Sequence, residues 1–162
     1  GGFPLTAVAG RAEIMNHLDS NLVSKENFLP QLGTLSGNPI ACAAGLAALS
    51  ILKEPGIYDS MFEIGAKTMT ALQSVFDNVE IDATVVGEPV LFDVFFTKEP
   101  VFDYRTSLKS DSGMLNKFNS LMLNNGIFKG TTKFYFSTEH NETDRVETIA
   151  AFQSAAESMS GK

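Results

Sequence analysis

Gly33-Thr34-Leu35-Ser36-Gly37-Asn38-Pro39 gathers two glycines, two hydroxyls and a helix-starting pair into one short stretch. Glycines let a backbone turn tightly and approach a ligand closely. Thr34 and Ser36 offer hydroxyl donors. Asn is a preferred N-cap, and Pro suits the first helical position, where a missing N–H removes no bond. The apolar positions Ile40, Ala44, Ala47, Ala48, Ile51 and Leu52 then recur at three- and four-residue spacing, which predicts a helix from Asn38 to Lys53. Gly45 admits close contact within it, and Glu54-Pro55-Gly56 stops it. A helix start with unpaired N–H groups and a positive dipole end attracts phosphate oxygens. The stretch therefore fits a phosphate-binding corner, and it also fits a well-capped loop-to-helix turn.

Upstream, residues 1–32 read as irregular, with a short strand expected over Phe3 to Ala9. A short helix is expected over Arg11 to Leu18, with Ile14, Met15 and Leu18 inward. Asp19 to Gln31 is polar and loop-like, and long loops in compact proteins are often functional or interfacial. Downstream, Tyr58 to Phe76 carries Phe62, Gly65, Met69, Leu72 and Phe76 on one helical stripe. Ala83 to Val86 and Val90 to Phe96 read as strands joined by Gly87-Glu88-Pro89; Phe92, Val94 and Phe96 form an apolar face against a mixed one of Leu91, Asp93 and Phe95. Asp111 to Asn124 reads as a helix burying Leu115, Phe118, Leu121 and Met122, ended by Asn125-Gly126. Two short strands are expected over Ile127 to Lys129 and Phe134 to Ser137. Asn141 then caps a last helix in a capping-box pattern with Asp144, its inner face being Val146, Ile149, Phe152 and Ala156. Helix, two strands, helix, two strands, helix describes a small α+β layer. The region before Glu54-Pro55-Gly56 cannot build a parallel-sheet domain alone, because such a sheet needs several crossover units.

A chain of 162 residues suits one domain, or one domain with part of another. Its net charge of -7 argues against nucleic acid and against an anionic membrane surface, both of which call for a basic face. The longest apolar region, Ile40 to Leu52, is too short to span a bilayer. The one cysteine, Cys42, excludes an internal disulfide and reads as a small core residue among alanines. His17 and His140 have no metal-ligand spacing to a second His or Cys, so no metal is expected. Asp93, Glu99, Asp103 and Asp111 show no pairing of a hydrolytic kind and read as surface residues.

Wording adds to this physics. Thr34-Leu35-Ser36-Gly37-Asn38-Pro39 resembles a segment of the class III aminotransferases, above all their glutamate-1-semialdehyde aminomutase branch. Gly1-Gly2-Phe3-Pro4-Leu5, Ala9-Gly10-Arg11 and Glu13-Ile14-Met15 resemble the stretch after that family's cofactor lysine. Leu52-Lys53-Glu54-Pro55-Gly56 with Tyr58, and Ser137-Thr138-Glu139-His140, continue the likeness in the family's order over nearly the whole chain.

The resemblance implies an α/β fold, the fold-type-I pyridoxal phosphate (PLP) transferase fold in part. Residues 1–55 would be the C-terminal part of the PLP-binding large domain and residues 56–162 a small α+β C-terminal domain. It implies PLP held covalently by a lysine, with the ring as electron sink, and amino-group transfer between amino and keto acids. That lysine is expected upstream of Gly1, so this chain carries no catalytic residue of its own and is expected to be the C-terminal portion of a longer cytoplasmic, homodimeric enzyme. The cofactor-binding residues implied are Thr34, Gly33 and Ser36, with Thr34 giving its hydroxyl and backbone N–H to the phosphate, usually that of the partner subunit's cofactor. Gly1, Gly2 and Pro4 would shape the turn after the lysine. Arg11, Arg105, Lys129 and Lys133 are candidate carboxylate binders. Aminomutases place a carboxylate side chain where Thr132 or Lys133 stands here, which favours a substrate carboxylate over a substrate amine and makes these two the substrate-binding candidates. The lysine amine carries the proton in this family, so neither histidine is needed as a base. The alternative is a non-catalytic binding or structural piece that lacks the cofactor lysine.

Overall fold

A computed structural model describes residues 2–161, so Gly1 lies outside the described residues. The chain divides into two compact units, Gly1–Glu54 and Pro55–Lys162.

In the first unit, Arg11 precedes a single helical turn, α1 (Ala12–Met15), which tightens into a 3-10 turn over Asn16–Leu18. The strand expected over Phe3 to Ala9 is absent. That segment is irregular and pairs with no neighbour among the described residues, and a strand needs a partner for its backbone groups. Ile14 and Leu18, read as inward, are exposed. Helix α2 (Pro39–Leu52) forms where expected, because Asn38 caps it and Pro39 fills its first position. Gly45 lies so close to Leu5 that a Cβ there would stand 2.1 Å from its Cδ2. Ala41 is the one buried residue among positions 2–54. Cys42 is half-buried rather than core, and Ile40 and Ile51 face solvent.

The second unit has a complete core. Helices α3 (Ile57–Asn78), α5 (Ser112–Asn124) and α6 (Glu142–Ser160) pack with an antiparallel sheet ordered β1 (Thr84–Glu88), β2 (Leu91–Phe95), β3 (Lys133–Tyr135). The alternation in β2 works as read: Phe92 and Val94 are buried, and Phe96 just beyond the strand joins them. They meet Leu72 and Phe76 of α3, Phe118 and Met122 of α5, Phe134 of β3 and Phe152 of α6. Met61, Thr68 and Val75 join the buried stripe of α3. Gly65 permits a close approach between α3 and the hairpin turn, since a Cβ there would fall 1.9 Å from the Pro89 carbonyl oxygen. Gln73 ties α3 to the free edge of β1: it donates to the Ala83 carbonyl at 3.0 Å and accepts from the Val85 amide at 3.0 Å. No single helix among the described residues is long and apolar enough to cross a membrane.

Several local expectations shift. The hairpin turn is Pro89-Val90, so Gly87 and Glu88 belong to β1. Ile127 to Lys129 forms no strand, and the expected strand from Phe134 starts one residue earlier and ends at Tyr135. A short helix, α4 (Tyr104–Ser107), went unread; Asp103 caps it in a box with Thr106. On α6, Val146 is exposed, and Ala151 and Ala155 take the inward places instead. Small side chains there let α6 seat closely on α3 and α5. The Asn141 box forms as read: its Oδ1 accepts from the Thr143 amide at 2.8 Å, and Asp144 Oδ2 accepts from the Asn141 amide at 2.8 Å. Asn141→Ala is expected to remove about 1 kcal/mol from this unit. The check is a melting temperature lower by a few degrees, on the order of 4–8 °C per kcal/mol for a unit of this size.

Candidate functional site

Gly33, Thr34 and Ser36 come together in one exposed turn that leads into α2. Gly37 sits at φ +71°, a left-handed conformation that lets the chain reverse into Asn38. The turn closes on itself through Ser36 N–H to the Gly33 carbonyl at 3.0 Å and Asn38 N–H to the Leu35 carbonyl at 3.1 Å. It is compact: a Cβ on Gly33 would stand 2.6 Å from Ser36 Oγ.

The donors available here differ from those read in the sequence. The first amides of α2 are already satisfied, because Asn38 Oδ1 accepts from Ile40 and Ala41, both at 3.0 Å. The helix start therefore lends its dipole rather than those two N–H groups. Among the described residues, no hydrogen bond engages the Thr34 amide or hydroxyl, nor the Leu35 and Gly37 amides. Ser36 Oγ makes only a long 3.5 Å contact with Gln31. Three amides and two hydroxyls thus sit on one exposed corner beside a recess of about 620 Å³ bordered by Leu5, Val8, Leu18 and Gln31. This donor set suits a phosphate, whose oxygens need several N–H and O–H partners at once.

Thr132 and Lys133 lie in the other unit. Thr132 occupies an exposed bend, and Lys133 opens β3. Lys133 Nζ is paired with Asp93, its cross-strand partner on β2. Asp93, expected at the surface, is buried, 6% exposed, between Val86 of β1 and Lys133 of β3. Its Oδ2 takes the Lys133 ammonium, and its Oδ1 has no hydrogen-bond partner. A half-exposed ammonium with three donors still keeps others for a second anion. Phe95, Phe102, Tyr104 and the pair itself border a recess of about 350 Å³.

Lys129 does not project freely. Its Nζ donates to Asn119 Oδ1 at 2.7 Å and to the Gly130 carbonyl at 2.8 Å, and lies 4.9 Å from the centre of the Phe134 ring. Burial pushes its ammonium down to about 8, against the opposing pull of Asp93. Arg11 pairs with Glu13 at 3.1 Å and Arg105 is exposed on α4. The histidines serve local turns. His140 Nδ1 accepts from the Ser137 amide at 3.0 Å, and His17 Nδ1 lies 2.7 Å from the Asn27 carbonyl. Asp93 and Asn119 are the functional candidates that sequence reasoning missed. Asp93 lies 40 residues from its partner, and Asn119 sits on a helix face with no motif around it.

The family profile for class III aminotransferases matches residues 1–142. The glutamate-1-semialdehyde 2,1-aminomutase of Thermus thermophilus is 35% identical over 159 residues, 96% of this chain and 36% of that protein. The protein of the same name from Desulfotalea psychrophila is 34% identical over 147 residues, 89% of this chain and 33% of that protein. An omega-transaminase from Sphaerobacter thermophilus superposes with a TM-score of 0.81 at 24% identity, over 91% of this chain and 34% of that one. A beta-phenylalanine aminotransferase from Variovorax paradoxus gives 0.77 at 23% identity, over 90% of this chain and 33% of that one. The chain thus spans about a third of the length of the relatives it matches, and its fold is that of the corresponding part of these transaminases. With the match running from the first residue through the start of α6, this chain belongs to the class III aminotransferases.

Proposed function

We propose that this chain is the C-terminal portion of a PLP-dependent aminotransferase or aminomutase that moves an amino group between small amino and keto acids. Residues 1–55 would complete its cofactor-binding domain, and residues 56–162 form its small domain. The observation that carries this reading is the Thr34–Gly37 corner, whose unpaired amides and hydroxyls match a phosphate, in a chain of this family. PLP, when bound, supplies an electron sink that stabilises negative charge on the substrate carbon. Thr34 gives that phosphate its hydroxyl and amide, with Gly33 and Ser36 shaping the turn. Lys133, steadied by Asp93, meets the substrate carboxylate, and Thr132 offers a hydroxyl beside it.

We take the protein to be a homodimer, whose second copy, together with the rest of the cofactor domain, would cover the apolar face of the first unit. Leu32, Val8, Leu46 and Ile40 are 85%, 76%, 68% and 64% exposed, more apolar surface than a solitary unit carries comfortably. The acidic net charge of -7 disfavours nucleic acid or an anionic membrane surface as a partner.

The test is a panel of amino donors and keto acids offered to the full-length protein with PLP, read as new amino acid formed. Transfer from at least one donor, or isomerisation of glutamate 1-semialdehyde, is expected. No turnover with any donor, in protein that binds PLP, would contradict the reading.

A further inference from the structure

The segment from Lys129 to Thr132 leads into β3 with no regular structure. Among the described residues, and apart from the β2–β3 ladder that it enters, its backbone is held at two points, both by side chains. Asn119 Nδ2 donates to the Thr131 carbonyl at 2.7 Å, and Lys129 Nζ donates to the Gly130 carbonyl at 2.8 Å. Asn119 Oδ1 also accepts from Lys129 Nζ at 2.7 Å, so one amide side chain on α5 holds the segment at two points. Lys129 lies against the Phe134 ring, which belongs to the buried core. The bend that follows presents Thr132 and Lys133.

We infer that Asn119, acting through the Thr131 carbonyl and the Lys129 ammonium, is the positioning residue that fixes Thr132 and Lys133 for substrate. This role rests on the functional reading above. Asn119 touches neither substrate nor cofactor; it sets where the substrate-facing residues stand. A side chain that merely decorated a helix would use one end of its amide, or none. Asn125, the C-cap of the same helix, shows that behaviour, its side chain donating only to the Leu121 carbonyl at 2.8 Å, within the last turn. Asn119 uses both ends, on a segment that is otherwise held only where it joins β3 at Lys133. A bend with no amide ladder drifts unless a side chain holds it, and small displacements of a positioning group change binding steeply.

The full-length holoenzyme tests this. Asn119→Leu is expected to raise KM for the amino donor about tenfold, as loss of about 1.4 kcal/mol of binding implies, with kcat within about twofold and PLP affinity unchanged. Lys129→Met is expected to follow Asn119→Leu. Asn125→Ala is expected to leave KM alone. Should Asn119→Leu fail to fold, Asn119→Asp decides the matter: it is isosteric, keeps the acceptor for Lys129 and loses the donor to Thr131, so KM still rises. Unchanged KM in either Asn119 variant, or the same loss in Asn125→Ala, overturns the positioning role while the functional reading stands. A wild-type protein that transfers no amino group overturns that reading and this role together.

Discussion

Phe118→Ala is expected to remove about 4 kcal/mol from the stability of the C-terminal unit, the largest effect of any single substitution considered. Phe118 is fully buried at the centre of an aromatic cluster. Its ring lies 5.4 Å from Phe76, 5.9 Å from Phe96, and 6.4 Å from both Phe134 and Phe152. Those partners come from α3, the end of β2, β3 and α6, so no one of them can move into the space without leaving the others. Phe-to-Ala changes in such settings cost about 3–5 kcal/mol, because the transfer term and an unfilled cavity add. Edge-to-face pairs contribute on the order of 1 kcal/mol more each. The check is native-state hydrogen exchange of the slowest amides of α3 and β2, which reports the opening free energy of this unit by itself. A loss under about 1 kcal/mol would mean that the core re-forms around the gap.

Lys133→Met is expected to destabilise the same unit by about 3 kcal/mol, and the reason lies in its partner. Asp93 is 6% exposed, and Lys133 provides its one hydrogen bond; the other carboxylate oxygen is already buried without one. Removing the ammonium leaves a carboxylate inside the sheet with neither oxygen satisfied. Breaking a buried pair from one side costs about 3–5 kcal/mol, and the half-exposed lysine brings the expected figure to the lower end. The pair itself contributes far less. Asp93→Val with Lys133→Met should therefore recover most of the loss, since Asp93 stands between Val86 and Lys133 across the strands and an apolar side chain packs there. The double-mutant cycle measures this directly. If Lys133→Met alone shifts stability by less than about 0.5 kcal/mol, Asp93 is hydrated and the pair is a surface contact.

Features whose cause is local were legible in the sequence. Asn38-Pro39 starts α2, Asn141 and Asp144 close a capping box, and the alternation of Phe92, Val94 and Phe96 turns one face of β2 inward. Each depends on residues within a few positions of one another. Features whose cause is distant were not. Phe3 to Ala9 and Ile127 to Lys129 have strand-like composition, but strands exist only where a neighbour accepts their backbone groups, and these segments have none among the described residues. Asp93 has nothing beside it in sequence to mark it as buried; its cation arrives from β3. The same holds for Asn119, whose partners Lys129 and Thr131 are 10 and 12 residues away. At the candidate phosphate corner, composition located the turn and its glycines, while the division of labour within it needed coordinates. Asn38 satisfies the helix amides, which leaves Thr34, Leu35 and Gly37 as the free donors.

Thr34 concentrates the central claim, because both its amide and its hydroxyl are unpaired and exposed on that corner. The most direct measurement is a titration of the full-length protein with PLP, wild type beside Thr34→Ala, followed by the absorbance of the bound cofactor. A lost hydroxyl bond to a charged phosphate is worth about 1–2 kcal/mol, so the dissociation constant should rise about tenfold. Equal affinity for the two proteins would remove the corner from the cofactor site and contradict the account.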